Sequence, residues 1–150
     1  MSTCQPKEAT LPPKSVEYSR VIMSHMLLPQ DANPAGIIHG GVVMKQIDDA
    51  AGVVAIRHTR CNVVTASIDR LDFHNPAFVG NLLSLKASLN LVGSTSMEVG
   101  VRVETEDLKT GEVRHTASAY LTFVALDENF HPRSIPHLLL ETDDDRRRHR

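Results

Sequence analysis

Period-two alternation dominates the second half of the chain. Leu83, Leu85, Ala87, Leu89 and Leu91 alternate with Ser84, Lys86, Ser88 and Asn90, predicting a half-buried strand with a single register. Gly93-Ser94-Thr95 turns the chain, and Met97, Val99, Val101 and Val103 then alternate with Glu98, Gly100, Arg102 and Glu104. Lys109-Thr110-Gly111 is a hairpin signal. Beyond it His115, Ala117, Ala119, Leu121 and Phe123 are set against Arg114, Thr116, Ser118 and Thr122 in a last strand. Residues 63–73 read as a strand closed by His74-Asn75-Pro76 and Gly80-Asn81. Upstream, residues 15–28 are rich in Val, Tyr, Ile and Met and read as a strand ended by Pro29, with a loop over 30–38.

Between loop and strand, to about His58, the pattern is helical but not one-sided. Val42, Val43, Met44, Ile47, Ala50, Ala51, Val53, Val54, Ala55 and Ile56 go round the cylinder, so the helix must be wrapped. Asp48 and Asp49 sit in its middle, where burial excludes carboxylates unless they are paired or used. Four alternating strands make an antiparallel sheet with one apolar face, and only this helix can cover it. Its small residues Ala50, Ala51, Gly52 and Ala55 permit close approach. The expected architecture is α+β, a sheet wrapped around one long central helix, known as the hotdog fold. Open sheet edges and apolar surface left over from one helix predict side-by-side dimerisation.

At 150 residues the chain is large enough for one self-sufficient core. Expected boundaries are a disordered leader over 1–14, the domain over 15–130 and a tail over 131–150. Sixteen basic and 18 acidic residues leave a formal charge of -2, which offers no nucleic-acid face. The leader has no apolar core, and the helix's apolar run covers about 15 residues, roughly 22 Å, with charges inside it, so no membrane insertion is expected. Cys4 and Cys61 lie far apart, which predicts no disulfide framework and fits a reducing cytoplasm. Eight histidines are scattered without HxH or HExxH spacing, so no metal is expected; no G-x-S-x-G elbow or phosphate loop is present. Within the tail, residues 135–140 are read as a docked short helix. Asp143-Asp144-Asp145 and the following arginines are read as a solvated, mobile end.

The spacing of Asn33, Gly36, His39-Gly40-Gly41, Met44 and Asp48 resembles that of hotdog-fold acyl-CoA thioesterases, both the broad-specificity bacterial hydrolases and the cytosolic brain type. The resemblance continues through Asp72-Phe73, Pro76, Gly80, Ser94 to Val99 and Gly111, over about residues 15–127. It implies hydrolysis of acyl-CoA, with CoA as part of substrate and product and no further cofactor. It also implies a cytoplasmic homodimer, often a trimer of dimers, with sites at the subunit interface.

Roles follow residue by residue. An attacked thioester carbonyl becomes an oxyanion and needs fixed donors. A helix start supplies unpaired N–H groups, and Gly40 and Gly41 let a carbonyl approach them. Gly41 N–H is therefore read as the oxyanion donor, with His39 shaping the entrance and Met44 beside the substrate. Asp48, two turns on, is read as general base or as nucleophile. Asp49 falls four residues after Lys45, where an ion pair satisfies it. The resemblance makes Asn33 catalytic, although Asn before Pro34 is also an ordinary turn residue. It assigns Ser94, Thr95 and Ser96 to CoA, and Arg57 and His58 are candidates for its phosphates, though cations also suit a helix C-terminus.

Two rivals share the fold. Hydratases carry an Asp and a His four residues apart before the helix, and Asp31 and His39 are too far apart for that. A non-catalytic acyl-CoA sensor keeps the pocket without the base; the presence of both Asn33 and Asp48, with no appended DNA-binding helices, points to hydrolysis.

Overall fold

The computed structural model describes residues 11–149. In chain order the elements are β1 (Lys14–Ser15), α1 (Val16–Ser19), β2 (Val21–Met26), a 3-10 turn (Pro29–Asp31), α2 (Gly40–Thr59), β3 (Asn62–Phe73), β4 (Leu82–Val92), β5 (Ser96–Glu106), β6 (Val113–Leu126), β7 (Leu138–Leu139) and α3 (Asp143–His149). Five strands form one antiparallel sheet in the order β2-β4-β5-β6-β3. Helix α2 packs across all five strands, which is the expected hotdog arrangement.

The alternating positions face the helix as predicted. Leu83, Leu85, Ala87 and Leu89 of β4, Met97 to Val103 of β5 and Ala117 to Ala125 of β6 are buried at every second residue. They meet Val43, Ile47, Ala50, Ala51, Val54 and Ala55 of α2. Two positions break the pattern, and β-bulges explain both. At Asn90 the register slips, so Leu91, expected inside, is 40 % exposed. A shift at Val103/Glu104 turns Thr116 inward, where it is 1 % exposed and its Oγ1 lies 2.8 Å from Thr105 Oγ1.

The chain ends differ from the sequence reading. Ser15 Oγ accepts the Tyr18 N–H, closing one helical turn, so the single strand expected over 15–28 is split. Residues 135–140 dock, but as an extended segment: Leu138–Leu139 pair in parallel with Lys14–Ser15. The acid-and-arginine end, expected to be mobile, is helix α3, capped by Thr142 Oγ1 on Asp145 N and by Asp145 Oδ2 on Thr142 N. Cys61 is disulfide-bonded, against the expectation for a reducing compartment; Cys4, the other cysteine, lies outside the described residues. Among the described residues no helix is long and apolar enough to cross a membrane, and no group of three or more His, Cys, Asp or Glu residues could hold a metal.

One polar contact ties the C-terminal segment to α2. His58 is fully buried, with Nε2 2.7 Å from Pro136 O and Nδ1 unpartnered, while Lys14 Nζ donates to His58 O at 2.8 Å. Burial depresses the His58 pKa, and Lys14 adds to this; the Pro136 contact works the other way. The unfolded chain therefore takes the proton first. Stability is full above the ordinary histidine value of 6.5 and falls as the pH drops below it. Melting curves from pH 7.5 to 5 should show a decline that is smaller in His58→Gln. For the core, Ile47→Ala should cost about 2–5 kcal/mol in denaturant titrations, because the side chain is only 1 % exposed.

Candidate active site

Helix α2 begins without a side-chain cap. His39 is its N-cap residue but makes no capping hydrogen bond, and its carbonyl accepts from Val42 and Val43. The N–H groups of Gly40 and Gly41 meet no acceptor among the described residues. A Cβ at Gly41 would have open space within 4 Å. The helix start is thus a pair of bare donors at the positive end of a 20-residue dipole.

The preceding loop is fixed by its own backbone. Asn33 Oδ1 accepts from Ala35 N and Ile37 N at 2.9 and 3.1 Å, and Asn33 N donates to Ile37 O at 2.8 Å. Gly36, at φ 81°, makes the turn possible. Ile38 N–H bonds Ala77 O, and His39 N–H bonds Asp31 O. Asn33 is therefore a turn residue, as its place before Pro34 suggests. With its oxygen committed, the amide NH2 is the end left for a ligand.

Asp48 is half-buried, and Thr65 Oγ1 of β3 donates to its Oδ1 at 2.7 Å. One oxygen is held and the other remains. Asp49 is exposed and paired with Lys45 at 3.0 Å, as the spacing predicts. Gly41, Met44, Asp48, Gly52 and Ile56 share an i, i+3/i+4 stripe that the sheet covers only in part: Met44 and Ile56 are exposed, Asp48 and Gly52 half-buried. Gly41 and Asp48 lie seven residues apart, about 10 Å along the axis. Within one protomer Gly41 N–H and Asp48 thus stand about two helical turns apart.

A cavity of about 380 Å³ adjoins the helix start, walled by Ile38, Gly40, Val43, Phe73 and Ala77, with His74 at its polar side. Gly40 is the only predicted site residue that lines it. His39 is exposed at the helix entrance. Ser94, Thr95 and Ser96 lie towards the other end of α2. Ser94 O accepts from Ile135 N and Thr95 O from Ala125 N, while Pro136 O faces His58. Arg57 donates to Arg20 O at 3.0 Å and Tyr18 O at 3.3 Å, bracing α1. His58, expected at a phosphate, is wholly buried against Pro136 and is not presented to any ligand. Thr65 was not foreseen: it reads as one more strand residue, and only the fold sets it opposite Asp48.

The sequence model of the thioesterase superfamily matches residues 35–112. The chain is 35 % identical over 138 residues to the mouse cytosolic acyl coenzyme A thioester hydrolase, covering 91 % of this chain but only 36 % of that relative's length. An apo-hexameric acyl-CoA thioesterase structure superposes with a TM-score of 0.88 at 41 % identity, covering 92 % of this chain and 88 % of the other. The acyl-CoA hydrolase of Staphylococcus aureus, solved with butyryl coenzyme A and coenzyme A, gives 0.85 at 35 % identity, covering 91 % and 84 %. Alanine variants of that hydrolase at an aspartate, an asparagine and a threonine give similar scores. A helix fronted by bare glycine amides, a tethered aspartate on its open stripe and these likenesses agree, and the chain belongs to the thioesterase superfamily.

Proposed function

We propose that this chain hydrolyses acyl-CoA thioesters to the free acid and CoA, at sites completed by a second copy. The observation that carries the reading is Asp48, held by Thr65 on a stripe of α2 that its own sheet covers only in part. The stripe adjoins a free sheet edge: β3 is the outermost strand, and Val64, Ile68 and Phe73 on it are exposed. A second copy placed with its β3 and α2 antiparallel to these covers that surface. It also sets Gly41 and Asn33 of one copy beside Asp48 of the other, which removes the 10 Å separation within one helix. Three such dimers would form a hexamer, the assembly named for the apo-hexameric relative.

In this arrangement Gly41 N–H and the Asn33 amide polarise the thioester carbonyl. With Asp48 as general base, water adds to the carbonyl carbon and gives its proton to the carboxylate. The tetrahedral oxyanion collapses, the C–S bond breaks, and the proton passes to the leaving thiolate. With Asp48 as nucleophile, the carboxylate adds to the carbonyl carbon, and the oxyanion collapses with cleavage of the C–S bond and departure of CoA thiolate. Water then cleaves the anhydride, returning the Asp48 carboxylate, releasing the free acid and supplying the proton that the thiolate takes up. Thr65 serves either route by fixing one oxygen so that the other faces the substrate. The antiparallel arrangement also brings the Ser94–Ser96 end of one copy towards the His39–Gly40 entrance of the other, where those hydroxyls meet the CoA arm.

The same residue types, aspartate, asparagine and threonine, are those replaced in the S. aureus hydrolase variants, which supports the assignment. Thiol release from short, medium and long acyl-CoAs should fall about a hundredfold or more in Asp48→Ala, and by a smaller factor in Thr65→Val. Binding of acyl-CoA by wild type without release of thiol would instead make the chain a sensor. Co-expressing Asp48→Ala with Asn33→Ala should restore about a quarter of wild-type activity, because half of randomly formed dimers then carry one intact site of two. A site contained in one chain would leave the mixture at the average of the two variants.

A further inference from the structure

The outer face of the sheet carries a second cleft, on the opposite side from α2 and Asp48. About 860 Å³ lies between this face and α3, and five cations line it, Arg20, Lys86, Arg102, Arg147 and Arg148, against one lining carboxylate, Asp144. Cross-strand register sets Lys86 beside Arg102, and both draw on one oxygen of Glu104, at 3.1 and 3.0 Å. Arg147 pairs with Asp144 at 3.0 Å and Arg20 with Glu17 at 2.9 Å, and Arg20 also feels Asp145. Arg148 meets no acid among the described residues. Five cations thus share four carboxylates, one of which, Asp145, already serves as the α3 cap.

Asn90 supplies an independent observation. The bulge in β4 lays this side chain over Gly100, where a Cβ would stand 2.6 Å from its Nδ2. Asn90 lines the cleft and is only 4 % exposed; its amide makes no hydrogen bond within the described residues, and its polar atoms are not sealed off but reach the cleft. An amide with no protein partner that opens into a cationic cleft offers its donors and acceptor to a polar ligand there. Guanidinium groups fit phosphate oxygens two at a time, and the volume is that of a small-molecule site.

We propose that this cleft binds a multiply phosphorylated small molecule, its phosphates against Arg102, Arg148 and their neighbours and a polar edge against the Asn90 amide. Two sources share that chemistry, a bare polyphosphate chain and the phosphates of a nucleotide. Tyr120, directly across from Gly100 and 41 % exposed, offers an aromatic surface that only the nucleotide would use.

The test is calorimetric titration of the full chain at physiological salt with inorganic tripolyphosphate and, separately, with adenosine triphosphate. Saturating free CoA is present throughout, so that contacts for the substrate's own phosphates are already filled. The expected result is one saturable site per chain. It should weaken at least tenfold when Arg102→Gln and Arg148→Gln are combined, and several-fold in Gly100→Ala, which displaces the Asn90 amide. Lys109→Gln, on the distant β5–β6 hairpin, should bind as wild type, and thermal melting should confirm that every variant is folded. Equal affinity for the two probes identifies the phosphate chain as the ligand; tighter nucleotide binding that is lost in Tyr120→Ala identifies the nucleotide. Absence of saturable binding by either probe, or undiminished binding in the folded double variant, overturns the proposal.

Discussion

Helix α2 has more apolar surface than one sheet can cover, and the rest of the molecule is arranged around that surplus. Its inner positions, from Val43 to Ala55, fill the space above β4, β5 and β6, with alanines where the approach is closest. Burial of side chains such as Ile47, Leu85 and Leu121 stabilises by about 1.5–3 kcal/mol each. The opposite stripe has no such partner in the protomer. Met44 and Ile56 stay exposed there, next to an unpaired strand edge with Val64, Ile68 and Phe73. An apolar helix face and a free edge side by side are costly to leave in water, and the second copy of the proposed dimer would relieve both at once.

That constraint bears directly on the chemistry. A carboxylate at Asp48 is tolerable because its stripe is only half-covered and Thr65 satisfies one oxygen. Had the sheet closed over this face, Asp48 would carry the full penalty of a buried charge. The helix start is equally unfinished: a His39 without a capping bond leaves two glycine amides unspent. Both features leave polar groups of the protomer without full satisfaction. On the proposed reading, the surfaces that drive association are the surfaces that hold the reacting groups.

Much of this was legible in the residues, for reasons that also explain the failures. Alternation in β4, β5 and β6 was readable because one face of an antiparallel sheet is buried and the other wet. Leu91 and Thr116 were misplaced because a bulge inverts the alternation and has no fixed sequence mark. Asp48 and Asn33 stood out through their spacing in a family pattern, and Asp49 through its cation four residues away. Thr65 was invisible, since its role depends on a contact between residues 17 positions apart that only tertiary structure brings together. His58 misled for a related reason: a cation at a helix C-terminus and a neutral ring buried under a returning chain are identical letters. The ends were misread because a run of acids and arginines looks solvated until one acid, Asp145, is seen folding back to cap its own helix.

The pairing of Lys14–Ser15 with Leu138–Leu139 makes the two margins of the fold neighbours rather than free ends. Lys14 joins this seam to the end of α2 through His58 O, and Ile135 joins it to the β4–β5 turn through Ser94 O. Each margin is therefore the other's support: shortening the chain at one side strips hydrogen bonds from the opposite side.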